Sequence, residues 1–370
     1  MRCVILAVGL HWDSGNSVSL QFKAIADELV RRGYRVVLLV PGQLTDKVID
    51  TGNPLVFTWP SKRPTKLQDA IFLYRIIRKY RPFSIVGNFA AVNWVIVVGW
   101  LLQVKNRIAW YHTLVEQSEL DNHENAIVRI FYWARKLLVY KLATSIVAVS
   151  DYAMREDLTN KYHVPARKIT VFHNLLKTPV DLCPSAQENV NLVCVGRMDY
   201  SKAHDVLIKA MQHVAARFPE VTLRLIGSGK RKKDLEEMAK TLKMEKNVVF
   251  VGSIKPEDVL MEFAKSYACI HPARIDNCPL VLIESISVGT PVIASNAGGI
   301  PEIIRDDIDG LLTPPGNSEA LGLSICKILE SAELRQRYSE NAKSRFLSEF
   351  DLGQGVAKIV TWLESQIYEE

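Results

Sequence analysis

The hydrophobic positions of this chain alternate between short apolar runs and longer amphipathic stretches. Residues 3–8 form the first apolar run, residues 17–32 have helical periodicity that ends at Gly33, and residues 35–40 form the next run. A buried strand, a helix and a second buried strand in this order are typical of a parallel sheet with helices on both faces. The pattern therefore predicts an α/β fold from the N-terminus onward.

The same rhythm continues along the chain, is interrupted once, and then restarts. Residues 175–189 contain two prolines and little periodicity, which predicts a linker. At 370 residues the chain exceeds the usual size of a single core. We predict an N-terminal domain over 1–174, a C-terminal domain over 190–348, and a final helix over 349–370 that packs back on the N-terminal domain.

The composition is that of a globular protein, with 48% hydrophobic and 23% charged residues. The first apolar run follows the N-terminus without a secretory n-region, so we interpret it as a strand. The longest apolar stretch, residues 90–104, is shorter than the roughly 20 residues needed to span a bilayer. Six scattered cysteines without metal-ligand spacing predict reduced core residues. Together these features predict a cytoplasmic protein.

The positive charge is concentrated in one segment. Residues 61–141 contain 13 Lys/Arg against five acids, a net charge of +8, whereas the whole chain carries +6. Aromatic residues are interspersed with these cations, so the segment could contact anionic lipid headgroups at a membrane surface or a phosphorylated substrate. The alternative is a set of ordinary solvated helix faces. Nucleic acid is not expected as a partner, because no binding module accompanies the charge.

Two carboxylates stand eight positions apart within residues 274–295. Asp276 falls in a predicted loop and Glu284 in the helix that follows, and the pair Gly298-Gly299 comes soon after. A helix N-terminus favours phosphate, and a carboxylate can accept hydrogen bonds from ribose or sugar hydroxyls. This arrangement suits a sugar nucleotide. The alternative is an ordinary loop, helix and strand with two solvated acids.

Two cations follow the first strand of the C-terminal half. Arg197 and Lys202 lie just after the apolar run that ends at Val195, where they could neutralise a leaving nucleoside diphosphate. The alternative is a surface turn with two solvated cations. The segment 195–202, VGRMDYSK, resembles the VGR(L/M)xxxK signature of family 4 of the retaining glycosyltransferases. The Asp276/Glu284 unit is similar to the same family's two glutamates separated by seven residues.

This resemblance implies a fold and a separate ligand for each domain. The expected fold class is α/β of the GT-B type, with two Rossmann-like doubly wound domains that face a central cleft. The C-terminal domain would bind a nucleotide sugar and the N-terminal domain a variable acceptor. Two positions depart from the family pattern: Ala203 stands where Gly is usual, and Asp276 stands where Glu is usual.

The resemblance also implies site residues. His112, at the end of a predicted strand, would contact the donor sugar, Asp276 and the backbone N–H groups beside it would hold the sugar hydroxyls, and Glu284 would accept from the ribose. The expected catalytic residues are Arg197, Lys202, His112 and Asp276. The expected donor-binding residues are Gly15, Asn16, Gly196, Gly227, Val251, Gly252, Asn277, Cys278, Pro279, Leu280, Val281 and Glu284.

The activity implied is transfer of a hexose or N-acetylhexosamine from a nucleoside-diphosphate sugar, with UDP favoured, to a hydroxyl of a glycan or lipid-linked acceptor. We expect retention by a front-face mechanism that uses no metal and no cofactor. Two alternatives remain open. One is a non-catalytic GT-B subunit that scaffolds a partner, and the other is a GT-B sugar-nucleotide epimerase.

Overall fold

The structure, a computed structural model, describes residues 2–9, 17–41, 52–122, 125–179, 182 and 190–368. The chain divides into a first unit of Met1–Thr113, Glu124–Lys177 and Leu352–Glu370, and a second unit of Leu114–His123 and Thr178–Asp351. In this division a short segment from the N-terminal half, Leu114–His123, groups with the second unit. Most of the expected linker 175–189 lies outside the described residues.

Every described strand of the first unit belongs to one parallel sheet. Its strands are β1 (Cys3–Ala7), β2 (Arg35–Val40), β3 (Leu55–Thr58), β4 (Ser84–Asn88), β5 (Asn106–Tyr111), β6 (Ser145–Ala148) and β7 (Ile169–Val171). Within the described residues the strand order is β3-β2-β1-β4-β5-β6-β7. The order reverses between β1 and β4, which is the mark of a doubly wound, Rossmann-like domain.

The second unit repeats this topology. Its strands are β8 (Asn191–Val195), β9 (Thr222–Ile226), β10 (Val248–Gly252), β11 (Ala268–His271), β12 (Val292–Ser295) and β13 (Gly310–Thr313). They are ordered β10-β9-β8-β11-β12-β13 and are also parallel. The prediction of an α/β protein with two Rossmann-like domains is therefore confirmed.

Twelve α-helices connect and cover these strands in the described parts of the chain. They are α1 (Ser17–Arg31), α2 (Leu67–Tyr80), α3 (Val92–Leu101), α4 (Val115–Asp121), α5 (Ala126–Leu142), α6 (His204–Arg217), α7 (Lys232–Thr241), α8 (Pro256–Ala264), α9 (Leu280–Ser287), α10 (Ser318–Glu330), α11 (Ala332–Arg345) and α12 (Leu352–Tyr368). None of the described helices is both long and apolar enough to cross a bilayer.

Helix α1 shows how the apolar pattern becomes a packed face. Its buried residues include Val18, Phe22, Ile25 and Leu29, spaced three or four apart as one stripe of a helix requires. Helix α12 packs on α1 within the first unit, and beyond the end of α1 Arg32 donates to Thr361 Oγ1 at 3.0 Å. The chain end and the first helix thus cover the same sheet.

The helix expected from about residue 122 to 142 is wrong in its first part. The structure has α4 and then α5, and α5 begins at Ala126 because the Asn125 side chain accepts from the N–H of Val128 at 3.0 Å. An asparagine at this position is a strong helix start. Strand β3 was missed because four residues give too short an apolar pattern to recognise.

Candidate active site

Strands β8 and β11 are neighbours in the second sheet, at the point where its strand order reverses. Cys269 pairs with Val193 in their parallel register. In open α/β sheets, ligands bind beyond the carboxyl ends of the strands at this switch point. The two segments singled out in the sequence follow these strands, so the fold brings Arg197 and Lys202 to the same edge as Asp276.

Asp276 lies at the centre of a buried polar cluster. Its Oδ2 forms an ion pair with Lys202 Nζ and lies 3.0 Å from His271 Nε2, and its Oδ1 accepts from the N–H of Asn277 at 3.0 Å. The side chains of Lys202, Asp276 and His271 are only 14%, 8% and 4% exposed. Burial alone would raise the pKa of Asp276, but Lys202 and His271 outweigh it and hold that pKa below its usual range.

Arg197, the other predicted cation, is accessible, and its side chain is 67% exposed. Its Nη1 lies 2.9 Å from Asp199 Oδ2, and its Nη2 lies 3.7 Å from Asp121 Oδ2. Asp121, the last residue of α4, also accepts from the N–H and the Oγ of Ser201 at 2.9 and 2.8 Å. These contacts tie α4 to the loop between β8 and α6. Sequence analysis missed Asp121, because 80 positions separate it from Ser201.

A second cluster of charged side chains holds the same loop in place. Arg274 donates to Asp205 Oδ1 and Oδ2 at 3.0 and 2.8 Å, and Arg231 donates to Asp205 Oδ1 at 3.1 Å. Both guanidinium groups lie over the ring of Tyr200, at 4.2 Å for Arg274 and 5.3 Å for Arg231. Burial raises the pKa of Asp205, but the two arginines, Arg274 foremost, lower it to about 2 overall. Sequence analysis did not identify this cluster of Asp205 and two arginines.

His204, the first residue of α6, is a further buried polar side chain at this edge. It is 1% exposed, and neither ring nitrogen has a hydrogen-bond partner among the described residues. Burial, together with nearby His271 and Lys202, lowers the pKa of His204 to about 4. The imidazole is therefore neutral at physiological pH. Its position directly after Ala203 gave no chemical signal in the sequence.

Three of the expected donor-binding glycines lie side by side at the ends of β8, β9 and β10. The N–H of Gly227 donates to the carbonyl of Gly252 at 2.8 Å, and a Cβ on Gly227 would come within 2.0 Å of the carbonyl oxygen of Gly196. Gly227 also has a φ of +132°, which strongly favours glycine. Val251 is partly exposed beside them. The three glycines therefore place backbone atoms and no Cβ atoms at this part of the edge.

Helix α9 presents the remaining expected donor-binding residues. Pro279 precedes its first turn. Leu280, Val281 and Glu284 are partly exposed and lie on one face of the helix.

Asn277 and Cys278, which precede α9, are buried. The N–H of Asn277 is already donated to Asp276 Oδ1, which differs from the expectation that it is offered to a ligand. Gly298 has a φ of +60°, and a Cβ there would meet the Asp276 carbonyl oxygen at 2.0 Å. The glycine pair therefore packs directly on the backbone of Asp276.

His112 belongs to the first unit and follows β5. Its ring stacks on Phe89, with centroids 4.1 Å apart and planes 6° from parallel, and burial lowers its pKa to about 3. A neutral histidine at the carboxyl edge of a Rossmann-like sheet is suited to hydrogen bonding with an uncharged hydroxyl. Gly15 and Asn16 lie outside the described residues. Across the described ranges, no group of three His, Cys, Asp or Glu side chains could hold a metal ion.

Both halves of the chain match known protein families. Residues 18–178 match the family described as Glycosyltransferase Family 4, and residues 184–345 match the family described as Glycosyl transferases group 1. An uncharacterized glycosyltransferase from Methanocaldococcus jannaschii is 25% identical over 352 residues, 88% of each chain.

Two solved structures have the same fold at low sequence identity. Sucrose-phosphate synthase from Thermosynechococcus elongatus superposes with a TM-score of 0.81 at 18% identity, over the whole of both chains. Anabaena HepE in complex with UDP superposes with a TM-score of 0.77 at 18% identity, over 99% of this chain and 100% of the other.

The two parallel-sheet units have the GT-B fold, and both matched family models are glycosyltransferases. Within that class, the two matched regions cover most of the chain, and the protein belongs to the family 4, group 1 glycosyltransferases. The resemblance stated from the motifs of residues 195–202 and 276–284 is confirmed.

Proposed function

We propose that this protein is a retaining glycosyltransferase that moves a hexose or an N-acetylhexosamine from a nucleoside-diphosphate sugar to a hydroxyl of a glycan or lipid-linked saccharide. The observation that carries the proposal is the buried ammonium group of Lys202 at the switch point of the second sheet. UDP is the favoured nucleotide, and it is supported by the UDP complex of the structurally similar Anabaena protein.

The donor diphosphate would lie between the loop after β8 and the N-terminus of α6. Lys202 and Arg197 would offset its charge, together with the N-terminal end of the α6 dipole. Glu284, on the accessible face of α9, would accept from the ribose hydroxyls. Because the two cations supply positive charge themselves, the proposed reaction needs neither a metal ion nor a cofactor.

Transfer would proceed on one face of the donor sugar. The bond between the anomeric carbon and the diphosphate oxygen breaks, and its electron pair leaves with the diphosphate. The acceptor oxygen bonds to the anomeric carbon from the same face, and the acceptor's proton moves to the departing phosphate oxygen. Asp276 is not proposed as a nucleophile, because its Oδ2 is held by Lys202 and His271. We assign it the positioning of Lys202.

Substitution of the two cations tests the proposal. Lys202→Ala and Arg197→Ala should each lower turnover by about 100-fold or more, because a preorganised charge at the leaving group is removed. Lys209→Ala on the exposed side of α6 is the matched control and should keep turnover near that of the unchanged protein. A panel of nucleotide sugars, screened by thermal stabilisation, identifies the donor before the assay.

The product's anomeric configuration, read by NMR, tests retention separately from turnover. An inverted product would refute the front-face step, even if both lysine and arginine variants were inactive. Near-normal turnover in Lys202→Ala and Arg197→Ala would refute the assignment of the diphosphate site itself.

A non-catalytic GT-B subunit is the second candidate. Two observations favour it: Ala203 and Asp276 both depart from the family pattern, and Asp276 is occupied by internal partners. Such a subunit would bind no more than the nucleotide and would release no glycoside. Detection of product from any nucleotide sugar in the panel rules this candidate out.

A further inference from the structure

One side of helix α5 is apolar and faces outward. Ile127, Ile130, Phe131 and Leu138 are 79%, 65%, 63% and 54% exposed, and Ala134 between them is exposed as well. Their spacing of three, four, seven and eleven places them on one helix face. We call these five residues the outer stripe. A surface helix ordinarily turns its polar residues outward, so this orientation is the reverse of the usual one.

The opposite side of α5 anchors the helix to the first unit. Val139 and Tyr140 are buried there, and Lys136 Nζ lies 5.6 Å from the ring centroid of Tyr111 and 5.8 Å from that of Tyr162. These contacts fix the rotation of the helix about its axis. The outer stripe is consequently held away from the core and cannot be buried by a small rotation.

The charge of α5 indicates what would cover the stripe. Between Ala126 and Leu142 the helix contains four cations and no acid. Arg135 stands four residues after Phe131 and Lys141 stands three residues after Leu138, so these two cations lie beside the outer stripe. The other two, Arg129 and Lys136, lie on the opposite side of the helix. Long basic side chains beside an apolar stripe can reach lipid phosphates while their stems and neighbours enter the acyl boundary. A second copy of the same helix would instead bring like charges together, which opposes self-association through this face.

Helix α2 lies in the same basic segment, and its exposed apolar face is shorter. That face consists of Leu67, Ile71 and Tyr74, and Arg75 interrupts it one turn after Ile71. The two helices therefore offer a matched comparison within one unit.

We propose that the outer stripe of α5 inserts into the interfacial region of a membrane that contains anionic lipids. This inference concerns the first unit alone and does not depend on the donor or on the reaction. It assigns the lipid contact to one helix rather than to the whole basic segment 61–141. An acceptor anchored in the same membrane would then be presented to the enzyme at its surface.

Vesicle co-sedimentation tests the proposal with the full chain. Vesicles of phosphatidylcholine alone are compared with vesicles of three parts phosphatidylcholine to one part phosphatidylglycerol. We expect binding to the anionic vesicles and its weakening by added salt. The variant Ile130→Ser/Phe131→Ser should bind the anionic vesicles at least about tenfold more weakly, because two large apolar side chains are lost from the interface.

The matched control is Leu67→Ser/Ile71→Ser on α2, which removes two exposed apolar residues from the same unit. It should bind like the unchanged protein. Equal loss in both variants would overturn the assignment to α5, and binding that ignores anionic lipid would overturn the role of the cations.

Absence of vesicle binding would overturn the proposal as a whole. Sedimentation velocity without vesicles adds one more outcome. A dimer that the α5 variant dissociates, with vesicle binding unchanged, would show that the stripe is covered by a second copy instead. Thermal melting of both variants checks the fold, and we expect melting midpoints close to that of the unchanged protein because the substituted residues are exposed.

Discussion

Replacing Lys202 by methionine would leave the Asp276 carboxylate buried, with the His271 ring as its remaining side-chain partner. Asp276→Asn would do the converse and leave the Lys202 ammonium group without its counter-ion. Both side chains are largely hidden from water, at 14% and 8% exposed, so solvent screens the pair little. The two substitutions and their combination form a double-mutant cycle across one ion pair.

The expected magnitude follows from the burial. Removing one member of a buried ion pair typically costs about 3–5 kcal/mol. In the Lys202 variant His271 stays 3.0 Å from Asp276, and in the Asp276 variant the asparagine oxygen can still accept from Lys202, so we expect each single variant to lose about 3 kcal/mol. The double variant buries no charge and should lose no more than either single variant, which makes the coupling free energy at least about 3 kcal/mol.

The pH dependence of this pair has a definite sign. The folded-state pKa of Asp276 lies below its unfolded value. The stabilisation by the pair is therefore present above the unfolded pKa of about 3.9 and is lost as the pH falls through the folded pKa. The cycle is best measured at neutral pH, where the full coupling is present.

Hydrogen exchange of the second unit is the appropriate assay. All seven tryptophans lie outside residues 178–351, so tryptophan fluorescence reports on the first unit. Exchange of α6 and α9 peptides gives the local unfolding free energy of the region that carries Lys202 and Asp276. The exposed pair Arg217–Glu330, at 55% and 44% exposed, is the control and should couple by less than about 1 kcal/mol. If the Lys202 and Asp276 variants were additive within about 0.5 kcal/mol, the reasoning would be refuted.

Three further predictions follow from single positions. Gly227→Ala should destabilise the second unit by about 3 kcal/mol or more, because the added Cβ would clash with the carbonyl oxygen of Gly196. Gly316→Ala is the control: its φ is +78° but the space around it is open, so hydrogen exchange should show a loss of only about 1 kcal/mol. Because burial lowers the pKa of His204 to about 4, the folded protein should lose up to about 3 kcal/mol of stability as the pH falls from 6.5 toward 4. In His204→Leu the melting temperature should depend less on pH over this range. Ala203→Gly should change stability by less than about 1 kcal/mol, because relief of its left-handed φ of +52° offsets the lost buried methyl group; a larger loss in melting would contradict this balance.

The architecture was predictable because it depends on local patterns. Apolar runs and helical periodicity identify most strands and helices, and two such series separated by a proline-containing segment indicate two domains. The failures have local causes as well. Strand β3 is too short to show a period, and the start of α5 depends on one side-chain bond from Asn125.

The site was predictable only in part. The segments of Lys202 and Asp276 were identified by their spacing, but the ion pair between them was not, because it joins positions 74 residues apart through the β8–β11 neighbour relation. His271 and His204 carry no motif and enter the site only through the fold. The grouping of α4 with the second unit could not be predicted either, since Asp121 contacts Ser201, which is 80 positions away in the sequence.

The two departures from the family pattern fall at one place in the structure. Ala203 directly follows Lys202, and Asp276 is the partner of Lys202, so both alter the surroundings of the same ammonium group. A protein that only needed stability could replace a buried ion pair with apolar residues at little or no cost. This chain instead keeps Lys202 buried and held by Asp276 and His271 at the edge where the fold binds ligands. Retention of the charge at that edge, despite two altered neighbours, favours a working donor site over a silent one.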